Sequence, residues 1–220
     1  MGQIIKNDPC RLLLVEGKDE LYFFAALCDE LGITDKVQIE EFQGKENLRI
    51  FLLNLVNDED FENLIYVGII RDADYGGDPF RSVCDAIAAS NTRHPHNKLP
   101  VPDNELIPAG DELKVNAMIL PGDGLEGMLE DLILNAYSRD TAMTCVDQYF
   151  SCLKEQKVEM ITNRLPKARM RVFLVSKIVS IPKSKTDNWL ADIYHRKWWS
   201  WDKSAFAEVK AFLRQLTGDE

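Results

Sequence analysis

Hydrophobic residues form two kinds of pattern along the first 137 residues. Short apolar runs, two of them unbroken and suited to burial on both faces, are typical of β-strands. Longer segments between them have apolar residues three and four positions apart, which is typical of amphipathic helices. The predicted strands are residues 11–15, 37–42, 64–70 and 115–120, and the predicted helices are 18–31, 46–56, 78–90 and 125–137. Alternating strands and helices predict a parallel sheet with helices on its faces.

We therefore expect an α/β fold, Rossmann-like, with a mainly parallel four-stranded sheet flanked by helices. Residues 1–137 form this predicted core. Residues 91–113, which are rich in proline, asparagine and charge, are expected to be a loop insertion or a hairpin within it. Helical patterns at 140–154, 167–179 and 204–216 predict that residues 138–220 form a helical C-terminal extension packed on the core.

Acidic residues follow three of the four predicted strands. Glu16 follows the first strand, Asp72 and Asp74 follow the third, and the fourth leads into a helix that carries Glu130 and Asp131. Ligands bind at the carboxyl ends of the strands in parallel sheets, and these ends meet at one edge. We expect the carboxylates to converge there.

Converging carboxylates repel one another unless a cation lies between them. Ligand sets made of oxygen alone suit Mg²⁺ or Mn²⁺. The pair Asp72-x-Asp74 taken alone is more typical of a loop on an acidic protein surface. It is the full set on three strand ends that predicts a metal site.

The motifs resemble a known domain. LLVEGKDE at residues 13–20, followed by IIRDAD at 69–74, resembles the TOPRIM domain of topoisomerases, primases and several nucleases. The stretch ILPGDGLEGMLEDLIL at 119–134 and the basic helix near Lys167 resemble more closely the short, stand-alone TOPRIM-like proteins of the DUF3226 type, which are related to OLD-family nucleases. The resemblance covers most of the chain and implies a TOPRIM-like core.

The resemblance also implies roles for individual residues. The implied ligands for Mg²⁺ or Mn²⁺ are Glu16, Asp72, Asp74, Glu130 and Asp131. The candidates for catalytic proton transfer are Glu16, Glu20 one helical turn later, and Lys167. The chain departs from many TOPRIM proteins after Asp74, because Tyr75-Gly76-Gly77-Asp78 stands where a further acid or Arg-Glu-Gly is common. Asp78 is the candidate substitute for that acid.

The chain is too short for the extra domains of a topoisomerase or a primase, so hydrolysis of a phosphodiester is the smallest activity that fits. We expect a metal-dependent TOPRIM nuclease, of a phage-defence or toxin-like kind. RNase M5-type maturases share the EGKD-like opening, so both DNA and RNA stay open as substrates. The alternatives are a non-catalytic interaction module and a receiver-like phosphoacceptor. The last is disfavoured because Glu16 is not an aspartate.

The charge is unevenly distributed. The net charge is −10, yet residues 1–160 sum to −16 and residues 161–203 to +7. Basic residues contact phosphates, and the candidates for nucleic-acid binding are Lys18, Arg164, Arg169, Lys183 and Lys185. A solvated helix face would also explain the basic residues of the 164–171 stretch. Trp198, Trp199 and Trp201 are more typical of helix packing than of base stacking.

Five cysteines without CxxC spacing indicate reduced thiols and a cytoplasmic protein. The apolar runs are too short for a membrane span, so no membrane association is expected. The sequence has no Walker A motif, and the resemblance implies an AAA-type or ABC-type ATPase as partner. Whether the chain forms a homo-oligomer stays open.

Overall fold

A four-stranded, all-parallel sheet forms the centre of the chain. The computed structural model describes residues 3–178, 193–194 and 198–219. The strand order is β2-β1-β3-β4, and every neighbouring pair runs parallel. The strands are β1 (Cys10–Val15), β2 (Gln38–Glu41), β3 (Leu64–Asp72) and β4 (Lys114–Leu120). The predicted α/β class with a parallel four-stranded sheet is confirmed.

Helices connect the strands and continue beyond the last one. They are α1 (Lys18–Glu30), α2 (Leu48–Val56), α3 (Pro79–Asn91), α4 (Leu129–Ala136), α5 (Thr141–Glu155), α6 (Leu165–Ile178) and α7 (Ala207–Thr217). Residues 92–113, all of them described, contain neither a helix nor a strand, as expected for a long loop. None of the described helices is both long and apolar enough to cross a membrane.

The sheet is buried on both faces because helices cover each of them, and side chains that alternate along a strand point into different cores. Leu13 and Val15 of β1 join a core with residues of α1, α4, α6 and α7, whereas Leu12 and Leu14 join a second core with α2 and α3. This explains the unbroken apolar run of β1: each face of the strand supplies a different core. Charged side chains lie instead at the carboxyl ends of the strands, as Asp72 does at the end of β3.

The last helix, α7, packs directly on the sheet. Gly68 of β3 allows this approach, because a Cβ atom there would stand 3.0 Å from Leu216 and 3.1 Å from Phe212 of α7. Trp199 and Trp201 are each 6% exposed, and their rings pack around Phe23. These two tryptophans therefore support the core and are not free to stack on bases. The division of the chain after residue 137 stays a prediction.

Helix α4 begins four residues later than the apolar pattern predicts. The pattern indicated a helix from residue 125, but α4 begins at Leu129. Gly127 has φ 136°, and its backbone exchanges two hydrogen bonds with Asp74, at 2.8 and 3.0 Å. The segment before Leu129 is thus a loop held against the end of β3. This shift sets where the acidic residues of α4 lie.

Candidate functional site

A cleft lies at the carboxyl ends of the two central strands. From β1 the chain proceeds to β2 on one side, and β3 then lies on the other side of β1, so the strand order reverses between β1 and β3. Such a reversal opens a crevice where ligands bind in parallel sheets. The cleft has a volume of about 510 Å³. Its charged lining residues are Glu16, Lys18, Glu20, Glu41, Asp72 and Lys167.

Three carboxylates from three different elements are buried beside this cleft. Glu20 in the first turn of α1 is 5% exposed, Asp72 at the end of β3 is 6% exposed, and Glu130 in the first turn of α4 is fully buried. We call these residues the buried acid cluster. The Leu129 backbone N–H donates to Asp72 Oδ1 at 3.0 Å, which joins the end of β3 to the start of α4. Glu130, the second residue of α4, therefore lies close to Asp72.

Burial makes the cluster costly to ionise. Burial, together with the negative charge of Glu130, raises the pKa of Glu20 to about 7, although Lys167 opposes the rise. Burial and the charges of Glu20, Glu130 and Glu16 raise the pKa of Asp72 well above its ordinary value. Burial also raises the pKa of Glu130. The cluster therefore favours protons, or another source of positive charge, near neutral pH.

Lys167 of α6 supplies part of that charge. Its Nζ lies 3.6 Å from Glu130 Oε1, which is an ion-pair distance. Burial lowers the pKa of Lys167, but the charges of Glu130, Glu20 and Asp72 outweigh burial and raise it overall. Among the described residues, one ammonium group thus faces the three acids of the cluster. Lys167, the candidate for proton transfer from the C-terminal part of the chain, therefore lies in contact with the buried acid cluster, and its catalytic role stays a prediction.

A second group of charges lies at the rim of the same crevice. Lys45 Nζ contacts Asp74 Oδ2 at 2.8 Å, and the Asp74 backbone is in the left-handed region at φ 56°. Glu16 follows β1 and is partly buried, and its Oε2 has no hydrogen-bond partner in the described residues. Burial and the charge of Asp74 raise the pKa of Glu16, while Arg71 lowers it. The rim thus carries both acids and bases.

Two of the acids singled out in the sequence cap the N-termini of helices. The Met128 backbone N–H donates to Asp131 Oδ2 at 3.0 Å, and Asp131 lines a separate pocket with Glu126. The Arg81 backbone N–H donates to Asp78 Oδ1 at 2.8 Å. Both carboxylates satisfy backbone donors at helix N-termini. The structure therefore places Asp131 and Asp78 outside the buried acid cluster.

The candidate nucleic-acid contacts fall in different surroundings. Lys18 is exposed at the cleft, and Arg164 is exposed just before α6. Arg169 pairs with Asp147 and lies 5.8 Å from the centre of the Phe150 ring, so it joins α6 to α5. Lys183 and Lys185 lie outside the described residues.

Sequence reasoning did not identify three residues of the site. Lys45 reaches it from the turn after β2, and Arg71, 8% exposed, lies one position before Asp72. Tyr194 is buried beside the cluster, and its hydroxyl has no partner in the described residues. Burial raises the pKa of Tyr194, and the charges of Asp19, Glu130 and Glu20 add to the rise. Arg71 stood within the IIRDAD motif, but nothing in the spacing marked Lys45 or Tyr194.

The donor atoms suit a hard cation, although they are not assembled as a three-ligand site. In the described part of the chain, no three His, Cys, Asp or Glu side chains are grouped closely enough to hold a metal ion. However, Mg²⁺ is usually bound by one or two carboxylates together with water and phosphate oxygens. Glu16 Oε2 and both carboxylate oxygens of Glu130 are buried and, within the described residues, lack hydrogen-bond partners. Glu16 and the nearby Asp72 fit a Mg²⁺ or Mn²⁺ ion of that kind, and Glu130 adds buried negative charge close to Asp72.

The fold and the site together define an α/β protein with an acidic cleft at the switch point of an all-parallel sheet. The chain belongs to a family described as protein of unknown function (DUF3226), whose sequence profile matches residues 10–218. No curated protein and no solved structure matches the chain. The DUF3226 part of the resemblance is confirmed.

Proposed function

We propose that the chain is a divalent-metal-dependent phosphodiester hydrolase that acts on nucleic acid, built on a TOPRIM-like fold related to that of the OLD-family nucleases. The observation that carries the proposal is the buried acid cluster at the carboxyl ends of the strands. Burying three carboxylates costs stability unless a cation offsets their charge. Grouping the three carboxylates at a ligand-binding edge does not stabilise the fold. It does provide a place to bind a cation together with a phosphate.

Glu16 and Asp72 are the proposed ligands of Mg²⁺ or Mn²⁺, with Asp74 beside them at the rim. When bound, the cation would offset the negative charge of a phosphate in the cleft and make nearby water more acidic. Glu20, whose pKa is raised to about 7, is suited to accept a proton from that water near neutral pH. Lys167 is the candidate for stabilising the phosphate or the leaving oxygen.

The acidic body of the protein limits how nucleic acid can approach. Lys18 and Arg164 are exposed and are the proposed phosphate contacts. A net charge of −10 predicts weak non-specific binding. We therefore propose an effector of phage-defence or toxin-like kind that engages its substrate through a specific structure, or with an AAA-type or ABC-type ATPase partner in the cytoplasm.

A non-catalytic interaction module is the second candidate. It is favoured by the spacing of the acids, because no three of them in the described residues are close enough together to hold a metal ion. Asp72 would then serve mainly to hold the start of α4, and Lys45 and Lys167 would be permanent partners of the acids. This candidate predicts that Mn²⁺ binds weakly and that neutralising Glu16 leaves biological activity intact.

Cleavage assays distinguish the two candidates. Wild type, Glu16→Gln and Asp72→Asn are incubated with single-stranded DNA, duplex DNA, tRNA and ribosomal RNA in Mg²⁺ or Mn²⁺. Asparagine retains an oxygen that can accept the Leu129 hydrogen bond, so Asp72→Asn tests charge with little change in shape. The exposed Glu62→Gln is the matched control. The RNA substrates also test an RNase M5-like maturase.

The nuclease proposal predicts metal-dependent cleavage by wild type and by Glu62→Gln. It predicts a loss of about 100-fold or more in Glu16→Gln and Asp72→Asn, the scale on which removing a group that stabilises transition-state charge slows catalysis. Cleavage that is equal in all four proteins would come from a contaminant and would refute the proposal. Absence of cleavage by wild type, with its ATPase partner supplied, would favour the interaction module.

A further inference from the structure

Lys45 is held at the rim of the cleft by the backbone around it. The Gly44 backbone N–H donates to the Glu16 carbonyl oxygen at 2.8 Å, and the Phe42 N–H donates to the Val15 carbonyl oxygen at 2.9 Å. The turn after β2 is thereby fastened to the end of β1. The next residue, Lys45, consequently starts beside the acids even though it is remote from them in sequence.

Its partner Asp74 is equally constrained. Both backbone groups of Asp74 are hydrogen-bonded to Gly127, so the loop after β3 has little freedom at this point. The Lys45 ammonium group lies 2.8 Å from Asp74 Oδ2. Nearby, Glu16 Oε2 lacks a hydrogen-bond partner in the described residues. Asp74 is therefore already paired with an ammonium group, whereas one carboxylate oxygen of its neighbour Glu16 has no hydrogen-bond partner in the described residues.

We propose that Lys45 is a built-in counter-ion which neutralises Asp74 in the metal-free protein and which a divalent cation must displace. The proposal rests on the proposed function, since it assigns the metal to the same rim. The Lys45 side chain is 45% exposed, so it can move aside into solvent or toward a phosphate when the cation arrives. Lys45 thus tunes metal affinity and is a positioning residue.

Thermodynamic linkage predicts how removing Lys45 changes the affinity for a divalent cation. A group that stabilises the metal-free protein more than the metal-bound protein weakens metal binding, and its removal tightens binding by the same factor. The side chains of Lys45 and Asp74 are 45% and 33% exposed. Ion pairs with such exposed partners typically change an equilibrium constant by about two- to five-fold. We expect Lys45→Met to bind Mn²⁺ about two- to five-fold more tightly than wild type.

The test is calorimetric titration of the metal-free chain with Mn²⁺, with no nucleic acid present. Lys18→Met is the matched control, because it removes the same charge from the same cleft but not from the Asp74 carboxylate. Thermal unfolding gives a second measurement: Lys45→Met should unfold at a lower temperature than wild type in EDTA, and the gap should close in saturating Mn²⁺.

The possible results separate this inference from the proposed function. Tighter binding by Lys45→Met than by Lys18→Met supports the counter-ion role. Equal affinities in wild type and Lys45→Met overturn it, as does an equal gain in both variants, which would reflect the general field of the cleft. In either of these cases the proposed metal site stands. A wild-type chain that binds no Mn²⁺ overturns both the metal site and the counter-ion role.

Discussion

Neutralising Glu20 should stabilise the protein at alkaline pH and leave it unchanged at acidic pH. Glu20 is 5% exposed, and burial with the nearby charge of Glu130 raises its pKa from the ordinary 4.5 to about 7. Glutamine imitates the neutral carboxyl group in size and shape. The substitution Glu20→Gln therefore removes the cost of ionising this position without opening a cavity.

The size of the effect follows from the pKa difference. A rise from 4.5 to about 7, at about 1.4 kcal/mol for each pKa unit, corresponds to about 3 kcal/mol. Because the pKa of Glu20 is higher in the folded state, the protonated carboxyl group contributes its full stability below pH 4.5. That contribution is lost as the pH rises through about 7. Glu20→Gln should therefore be up to about 3 kcal/mol more stable than wild type at pH 8.5, relative to their difference at pH 4.5.

Urea denaturation in EDTA at the two pH values measures this difference. Glu62→Gln is the control, because Glu62 is exposed, and exposed substitutions typically change stability by less than about 0.5 kcal/mol. If Glu20→Gln changes stability by the same amount at pH 4.5 and pH 8.5, or loses more stability at pH 8.5, then the cluster is not electrostatically strained and the reasoning fails.

Two further predictions concern the scaffold. Gly68→Ala should lower the free energy of unfolding by about 1–3 kcal/mol, since the added Cβ would stand 3.0 Å from Leu216; an unchanged urea midpoint would contradict this. Asp140 caps α5, and its carboxylate lies 2.6 Å from Lys177 Nζ. Burial raises the pKa of Asp140, but its hydrogen bonds to Lys177 and to the Ala142 backbone outweigh burial and lower the pKa overall. Asparagine caps a helix about as well as aspartate, so Asp140→Asn removes mainly the ion pair and should cost about 0.5–1 kcal/mol at pH 7, and the loss should shrink below about pH 4. A loss independent of pH would rule out the ion pair as its cause.

Local patterns were sufficient to predict the framework. The apolar runs marked β1, β3 and β4 within one or two residues, because strands buried on both faces leave a strong local signal. The acids that follow β1 and β3 could be located for the same reason. Since those strands are neighbours in the sheet, the position of Glu16 beside Asp72 followed from the strand ends and the rule for parallel sheets.

Long-range contacts limited the rest. The segment before α4 has apolar spacing like a helix, but its backbone bonds to Asp74, which is more than fifty residues earlier. Pairings of this kind leave no periodic signal in the sequence. The same holds for Lys45 and Tyr194, which come from elements distant from the acids. Arg169 was a candidate phosphate contact, and its pairing with Asp147 depends on how α5 packs against α6.

The most direct test of the account is a crystal of the wild-type chain soaked in Mn²⁺ and measured at the manganese absorption edge. The account predicts an anomalous peak in the cleft, bound by the carboxylates of Glu16 and Asp72, with Lys45 moved away from Asp74. A cleft that holds no manganese at saturating concentration, with the Lys45–Asp74 ion pair still closed, would contradict it.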